Sequence, residues 1–248
     1  MKISIITITY NSAKTLPRAL ASVQGQTYSD IEHIIVDGAS TDGTVELIES
    51  YAKVHKNVRW ISEKDNGIYN AINKGIQMAS GNAIGFLHSD DVFFAPDSVE
   101  HIAAAFDSTQ ADIVYGDLQY CHNNRVVRHW QSNPFHLRSL KYGWMPPHPT
   151  VYVRKDVYQQ VGPYDEWFRI SADYDMMLRL FSAGYKSCYI PEVIVSMETG
   201  GASNKNTKAR LSKTQEDYIA LKKNHVGAGY ITVAFKQLRK VRQFIRKT

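Results

Sequence analysis

The chain opens on a strand, a helix and a second strand, and this pattern limits its fold more than any other feature. Residues 3–8 and 33–36 are short apolar runs rich in β-branched residues and bounded by turn formers. Runs that are apolar on both faces predict strands buried inside a parallel sheet. Between them Leu16, Ala19, Leu20 and Val23 fall at the spacing of an amphipathic helix over residues 13–26. Parallel neighbours need a long crossover, and such a helix supplies it. The alternation continues with a helical pattern through Val45, Leu47, Ile48 and Tyr51, a strand at 58–62, a helix at 69–79 and a fourth strand at 83–87. These elements predict an α/β class: a Rossmann-like, mostly parallel sheet with helices on both faces and ligands beyond the carboxyl ends of the strands.

The second half is less regular. Residues 113–119 and 125–130 predict strands joined at His122-Asn123-Asn124, a hairpin-type turn. Met145-Pro146-Pro147-His148-Pro149 predicts a rigid loop before a strand at 150–154. Ser171 is a candidate cap for a helix that runs through Leu178 and Phe181 to Gly184. Residues 200–206 have the Gly, Ser, Asn and Lys composition of a linker, and two helical stretches follow. No internal repeat interrupts this order.

The net charge of +5 conceals an asymmetry. Residues 205–248 hold twelve Lys/Arg against only Glu216 and Asp217, a net of +10, while residues 1–204 hold seventeen Lys/Arg against twenty-two Asp/Glu, a net of −5. A mildly acidic body with a basic end predicts a polyanionic partner or surface. Residues 230–247 carry Ile231, Ala234, Phe235, Leu238, Val241, Phe244 and Ile245 at three- and four-residue intervals, with Lys236, Arg239, Lys240, Arg242, Arg246 and Lys247 between them. Two readings stand: a basic amphipathic helix lying on anionic lipid, or a helix packed on its own domain with its charges solvated. Cys121 and Cys188 lie far apart, which argues against a disulfide framework or a zinc site and fits a reducing cytoplasm. The opening run is too short and too rich in Thr for a signal peptide, and no stretch of about 18 apolar residues occurs. A cytoplasmic protein is expected, with the inner face of the cytoplasmic membrane as a place for its basic end to dock.

His88-Ser89-Asp90-Asp91 ends the fourth predicted strand. Adjacent carboxylates stay ionised together only near a cation or hydrogen-bond donors. Mg²⁺ and Mn²⁺ are hard cations that bridge carboxylates to substrate phosphates. An isolated Asp-Asp is more often a turn or a helix cap; the place of this pair after a fourth parallel strand favours the cation. Asp37 stands at the matching place after the second strand. The residues that follow it do not form a G-x-G-x-x-G fingerprint and lack a P-loop lysine, which counts against a dinucleotide dehydrogenase or an NTPase. Asp173 has two open readings, a first-turn residue stabilised by the helix dipole or a general base aimed at a hydroxyl. Asp175, two positions on, points to another face of the helix.

Four segments in order, IITITYN (5–11), VDGASTDGT (36–44), DNGIYNAINKG (65–75) and FLHSDD (86–91), resemble family 2 glycosyltransferases. PHPTVYVR (147–154) and ADYDMMLR (172–179) extend the likeness over about residues 1–200. It is nearest the bacterial branch that builds capsule, colanic-acid-type and O-antigen polysaccharides. The resemblance implies a GT-A fold and an inverting, metal-dependent transfer of sugar from a nucleotide-sugar donor, expected to be a UDP-sugar. The acceptor it implies is a hydroxyl of a growing, lipid-linked cell-surface oligosaccharide. On the matching positions Ile8, Thr9, Tyr10, Asn11 and Asp37 would line the base and ribose pocket, and Asp65, Asn73 and Lys74 would flank the nucleotide. Asp90 would face the ribose or sugar, Asp91 would ligate Mg²⁺ or Mn²⁺, and Asp173 would take the acceptor proton. His148 is a candidate for the metal–diphosphate region or the acceptor site, against a histidine packed beside prolines.

Two positions depart from the family pattern. Gly38 stands where many relatives have a second Asp, and Ala172 where many have Glu, with Asp175 as the nearby candidate to take its place. The expected organisation is a glycosyltransferase domain over 1–204, with a nucleotide-binding half (1–95) and an acceptor half (96–204), then a basic helical extension over 205–248. One alternative is a sugar nucleotidyltransferase, which would need a Gly-rich basic loop where the chain has Thr9-Tyr10-Asn11-Ser12-Ala13. Another is a non-catalytic module that binds membrane or polyanion. Acidic residues at the sheet rim oppose nucleic acid.

Overall fold

The protein was analysed as a computed structural model that describes residues 1–122, 125–198 and 207–245. Asn123 and Asn124 of the predicted hairpin turn, and the predicted linker at 200–206, lie outside the described residues. So do the side chains of Val241, Phe244 and Ile245.

The first half alternates as expected: β1 (Ile3–Thr9), α1 (Leu16–Gln24), β2 (Ile31–Asp37), α2 (Thr44–Val54), β3 (Val58–Ser62), α3 (Ile68–Met78) and β4 (Ala83–Phe86). After these come β5 (Asp91–Phe93), α4 (Ser98–Thr109), β6 (Ile113–His122), β7 (Arg125–Trp130), β8 (Tyr152–Arg154), α5 (Lys155–Val161), α6 (Ala172–Ser182), β9 (Ser187–Glu198), α7 (Thr207–Lys223) and α8 (Tyr230–Ile245). Among the described residues the strands form one sheet in the order β3-β2-β1-β4-β8-β6-β9-β5, with β7 paired to β6. Every residue of β1 and β2 is buried. Helices cover both faces there, which is why these strands are mostly apolar, with Ser4, Glu32 and His33 buried among the apolar residues.

Register sets the site. Strands β3, β2, β1 and β4 run parallel, and Thr9, Asp37 and Ser62 stand side by side at their carboxyl ends. Leu87 N extends β4 by donating to Ile6 O at 3.0 Å, so the turn that carries Asp90 and Asp91 leaves from the same rim. Helix α3 lies close on β1: a β-carbon on Gly75 would stand 2.5 Å from Ile6 Cγ2. Beyond β4 the sheet is mixed, with β8 antiparallel to β4 and β6, and β9 parallel to β6.

Strand β9 escapes a reading by periodicity because Pro191 and Glu192 interrupt it, and proline marks bulges in strands. The β6–β9 register shifts around Asp117, where Tyr115 faces Tyr189 and Asp117 faces Val193. The three-residue β5 pairs antiparallel to β9, with Asp91 opposite Met197.

Ser171 holds the N-cap position of α6, but its side chain makes no capping bond. Glu216 of α7 accepts instead from Ile170 N and Ser171 N, both at 2.9 Å. The last two helices pack on the body. Asp175 accepts from Asn224 Nδ2 at 2.9 Å and pairs with Lys223 at 3.2 Å, and Thr232 Oγ1 donates to Lys141 O at 2.9 Å. Helix α8 crosses Gly143 so closely that a β-carbon there would lie 2.7 Å from Lys236 Cα. No helix among the described residues is long and apolar enough to cross a membrane.

Candidate active site

A cleft of about 1490 Å³ opens at the carboxyl rim. Ile8, Thr9, Tyr10, Asp65, Asp90, Asp91, His148 and Asp173 all line it. Asn11, Asp37, Asn73 and Lys74 stand behind its wall and hold the loops. Asn11, in the left-handed region at φ 48°, accepts at its side-chain Oδ1 from Thr41 N at 3.0 Å and donates its backbone N–H to Ser40 Oγ at 2.7 Å. Asp37 is fully buried and accepts from Ser40 N at 2.9 Å and Ser62 Oγ at 2.7 Å. Asn73 Nδ2 donates to Tyr164 O and to Glu166, while its carbonyl accepts from Tyr164 N at 2.8 Å. Lys74 pairs with Glu63 at 2.8 Å.

Gly38 has a local reason. A β-carbon there would stand 2.9 Å from Asp65 Oδ2 and 3.2 Å from the Tyr10 ring. Asp65 reaches this point from the β3–α3 loop, so a side chain at position 38 would crowd its carboxylate. Asp65 Oδ1 accepts from Gly67 N at 2.9 Å, which fixes that loop.

Two buried carboxylates behave oppositely. Glu32 accepts from Ser4 Oγ at 2.6 Å and from Ser80 N and Oγ at 2.8 and 2.7 Å, with Arg59 beside it. Burial alone would raise its pKa, but these donors hold it at about 2. Asp91 is also fully buried, yet neither of its oxygens has a hydrogen-bond partner among the described residues. Burial, and next the charge of Asp90, push its pKa well above the ordinary range. A buried carboxylate with no donor costs several kcal/mol, so it takes either a proton or a cation. His88 Nδ1 is likewise buried without a partner, and burial lowers the pKa of that ring.

A divalent cation fits this donor set. Asp91 offers two bare oxygens beside Asp90, and no group of three or more His, Cys, Asp or Glu capable of holding a metal occurs among the described residues. Substrate oxygens and water would complete the shell, as is usual for Mg²⁺ at a diphosphate.

His148 lines the cleft and is buried. Its Nε2 lies 2.8 Å from Tyr164 Oη, its ring stacks on Phe86 at 5.3 Å, and burial lowers its pKa to about 4. Asp173 occupies the first turn of α6, where its Oδ1 accepts from Tyr174 N at 2.7 Å, and it borders the cleft as well. Asp175 is buried and paired to Arg179 at 2.9 Å. It stands outside the residues that line the cleft, so it does not replace the Glu absent at position 172.

Sequence reasoning missed one wall. Lys213 and Asp217 of α7, Lys236 and Lys240 of α8, and Tyr120, Arg128 and Trp130 of the β6–β7 hairpin also line the cleft. The charge excess of the last 44 residues was the signal. It pointed to a polyanionic surface outside the molecule, whereas part of that charge turns inward.

A cleft at the rim of a parallel sheet, holding a carboxylate pair and a separate helix-borne carboxylate, defines an α/β enzyme rather than a binding module. The family model described as Glycosyl transferase family 2 matches residues 4–172, and the chain belongs to that family. It is 33% identical over 205 residues to a PGL/p-HBAD biosynthesis glycosyltransferase of Mycobacterium bovis, covering 81% of this chain and 78% of that one. It is 29% identical to a chondroitin synthase of Escherichia coli, over 75% of this chain but 28% of the relative. Among solved structures it resembles S. aureus TarS 1–349 in complex with UDP-GlcNAc, with a TM-score of 0.70, 18% identity, and coverage of 90% of this chain and 65% of that one. It also resembles the mannosyltransferase PcManGT of Pyrobaculum calidifontis in complex with GDP-Man and Mn²⁺, with a TM-score of 0.68, 18% identity, and coverage of 98% and 72%. The fold is the GT-A fold, and the enzyme is a glycosyltransferase.

Proposed function

We propose that this enzyme is an inverting, metal-dependent glycosyltransferase that moves a sugar from a UDP-sugar to a hydroxyl of a lipid-linked, bacterial cell-surface oligosaccharide. The observation that carries this reading is the bare, buried Asp91 carboxylate, which shares one cleft with Asp173. Asp91, with Asp90 beside it, would hold Mg²⁺ or Mn²⁺. When bound, such a cation supplies electrostatic stabilisation for a diphosphate leaving group. Ile8, Thr9, Tyr10 and Asp65 form the nucleotide end, with Asn11, Asp37, Asn73 and Lys74 fixing the loops behind them. Asp173 accepts the proton of the acceptor hydroxyl as that oxygen bonds to the anomeric carbon and the carbon–diphosphate bond breaks. His148 stays neutral beside the reacting sugar. Residues 1–204 are the transferase domain on this reading, with 205–248 as its extension, of which α7 and α8 line the acceptor side of the cleft.

Thermal unfolding with UDP, GDP or dTDP, each with and without Mn²⁺, tests this reading. UDP with Mn²⁺ at about 100 times its Kd should raise the melting temperature by roughly 5–10 °C. No shift with any diphosphate would sink the nucleotide reading, and an equal shift without metal would sink the cation.

The face that α8 presents supports contact with a lipid surface in the cytoplasm. Its buried side is Thr232, Val233 and Lys236, while Ile231, Phe235 and Leu238 are exposed, Leu238 by 63%. The apolar stripe therefore faces outward, while Arg239 lies exposed where the helix borders the cleft. Basic amphipathic faces of this kind bind anionic bilayers. Removing 230–248 would also strip the buried Val233 and Lys236, so point substitution is the cleaner test. Ile231→Ser with Leu238→Ser should lower flotation with anionic vesicles about tenfold, from about 1 kcal/mol or more of lost burial. Undiminished flotation would remove α8 from membrane contact.

A further inference from the structure

The wall built by α7 and α8 turns three lysines, Lys213, Lys236 and Lys240, into the cleft. Lys236 is 5% exposed, with its Nζ 2.9 Å from Asp217 Oδ1 as an ion pair and 3.2 Å from the centre of the Tyr174 ring. It has no aligned hydrogen bond. Lys213 Nζ lies 4.0 Å from the same Asp217 oxygen, and Asp173 and Glu216 also act to keep it charged. Two ammonium groups thus converge on Asp217, and Lys240, half-buried in the same cleft, adds a third cation. Burial lowers the pKa of Lys236 to about 8 and also lowers that of Lys240, with Lys213 acting on both in the same direction.

Concentrating like charges in a partly desolvated cleft is unfavourable unless an anion joins them. Lysine suits phosphate, because its ammonium is a compact charge that can approach without a fixed orientation. The cluster also has a side. Lys236 Nζ lies on the ring of Tyr174, the residue after Asp173, and Glu216, three residues after Lys213, holds Ile170 N and Ser171 N at the start of α6. The lysines are therefore packed against the helix start that carries the base.

We propose that Lys213, Lys236 and Lys240 form a subsite for a phosphate group carried by the acceptor, on the Asp173 side of the cleft. This rests on the reading of Asp91 as the donor end and Asp173 as the base. The phosphate joins the lipid to the glycan, and its capture holds the acceptor hydroxyl beside Asp173.

The test uses the full chain saturated with UDP and Mn²⁺, so that the donor end is already filled. That saturation is recorded first, and its failure would refute the donor reading separately. Calorimetric titration then compares decyl phosphate, below its micelle concentration, with uncharged decyl glucoside and with inorganic phosphate. Decyl phosphate should bind at least about tenfold more tightly than decyl glucoside, and Lys236→Gln or Lys240→Gln should each remove about tenfold of that affinity, the scale of one charge-assisted contact. Binding of decyl glucoside should not change in either variant. Lys240→Gln, at the more open position, carries the test if Lys236→Gln fails to fold. The proposal is overturned if decyl phosphate and decyl glucoside bind alike or if the lysine variants keep wild-type affinity. It is also overturned if saturating UDP abolishes phosphate binding, which would place the lysines on the donor diphosphate. Inorganic phosphate binding as tightly as decyl phosphate would show a free-anion site and also overturn it.

Discussion

Asp173→Asn is expected to lower sugar transfer by about 10²–10⁴-fold, the usual contribution of a general base, while UDP with Mn²⁺ still raises the melting temperature as in the wild type. Asparagine keeps the size and an oxygen to accept from Tyr174 N, the 2.7 Å bond that Asp173 makes in the first turn of α6. The substitution therefore leaves the helix start intact and removes only the capacity to hold a proton. The effect should fall on kcat more than on KM, because the proton moves in the transition state and not on binding. Steady-state transfer kinetics beside the thermal shift separate these outcomes. Wild-type turnover in the variant would show that Asp173 is a capping residue and nothing more.

Asp91→Asn should lower transfer by about 10³-fold or more and abolish the part of the UDP shift that depends on Mn²⁺. It should also make the ligand-free protein more stable. The native carboxyl is fully buried with both oxygens bare and its pKa is pushed up, so in the empty protein it either holds a proton that the unfolded chain would release or stays an unpaired charge, and a neutral amide removes that cost. The relief is about 1–4 kcal/mol, or roughly 2–16 °C for a chain of this size. A site kept costly in the empty protein and relieved by its ligand is the pattern expected of stability given up for function. Glu32 is the internal contrast, since its four hydrogen bonds from Ser4, Ser80 and Arg59 leave no such relief to find. An Asp91→Asn variant with unchanged melting temperature and an intact Mn²⁺ effect would refute the assignment.

The parallel half of the fold was legible because burial on both faces leaves β1, β2 and β4 mostly apolar, with Ser4, Glu32 and His33 among the buried polar exceptions, and each crossover helix declares one stripe. The mixed half was less legible for physical reasons. Strand β5 has three residues, too few for any period, and β9 is interrupted by the bulge at Pro191. Asp90, Asp91, Asp65, His148 and Asp173 all line the same cleft. Asn73 and Lys74 share the motif of Asp65, yet a helix turns neighbours to different sides, and both face loops instead. The lysine wall was hidden for a further reason. A sequence records how many charges a helix carries, while tertiary packing decides which of them turn inward, and α8 buries Lys236 while exposing Leu238.

Helix α8 has two working faces, and its thickness becomes a measure. One face carries Lys236 into the cleft and the other carries Ile231 and Leu238 outward. An α-helix with its side chains is about 10–12 Å across. A bilayer that touches the outer face would then lie about one helix width from the lysines, and the enzyme would work as a gauge block resting on the membrane. Acceptors would be sorted by how far their reactive hydroxyl stands above the lipid, a selection by height that needs no recognition of the sugars between.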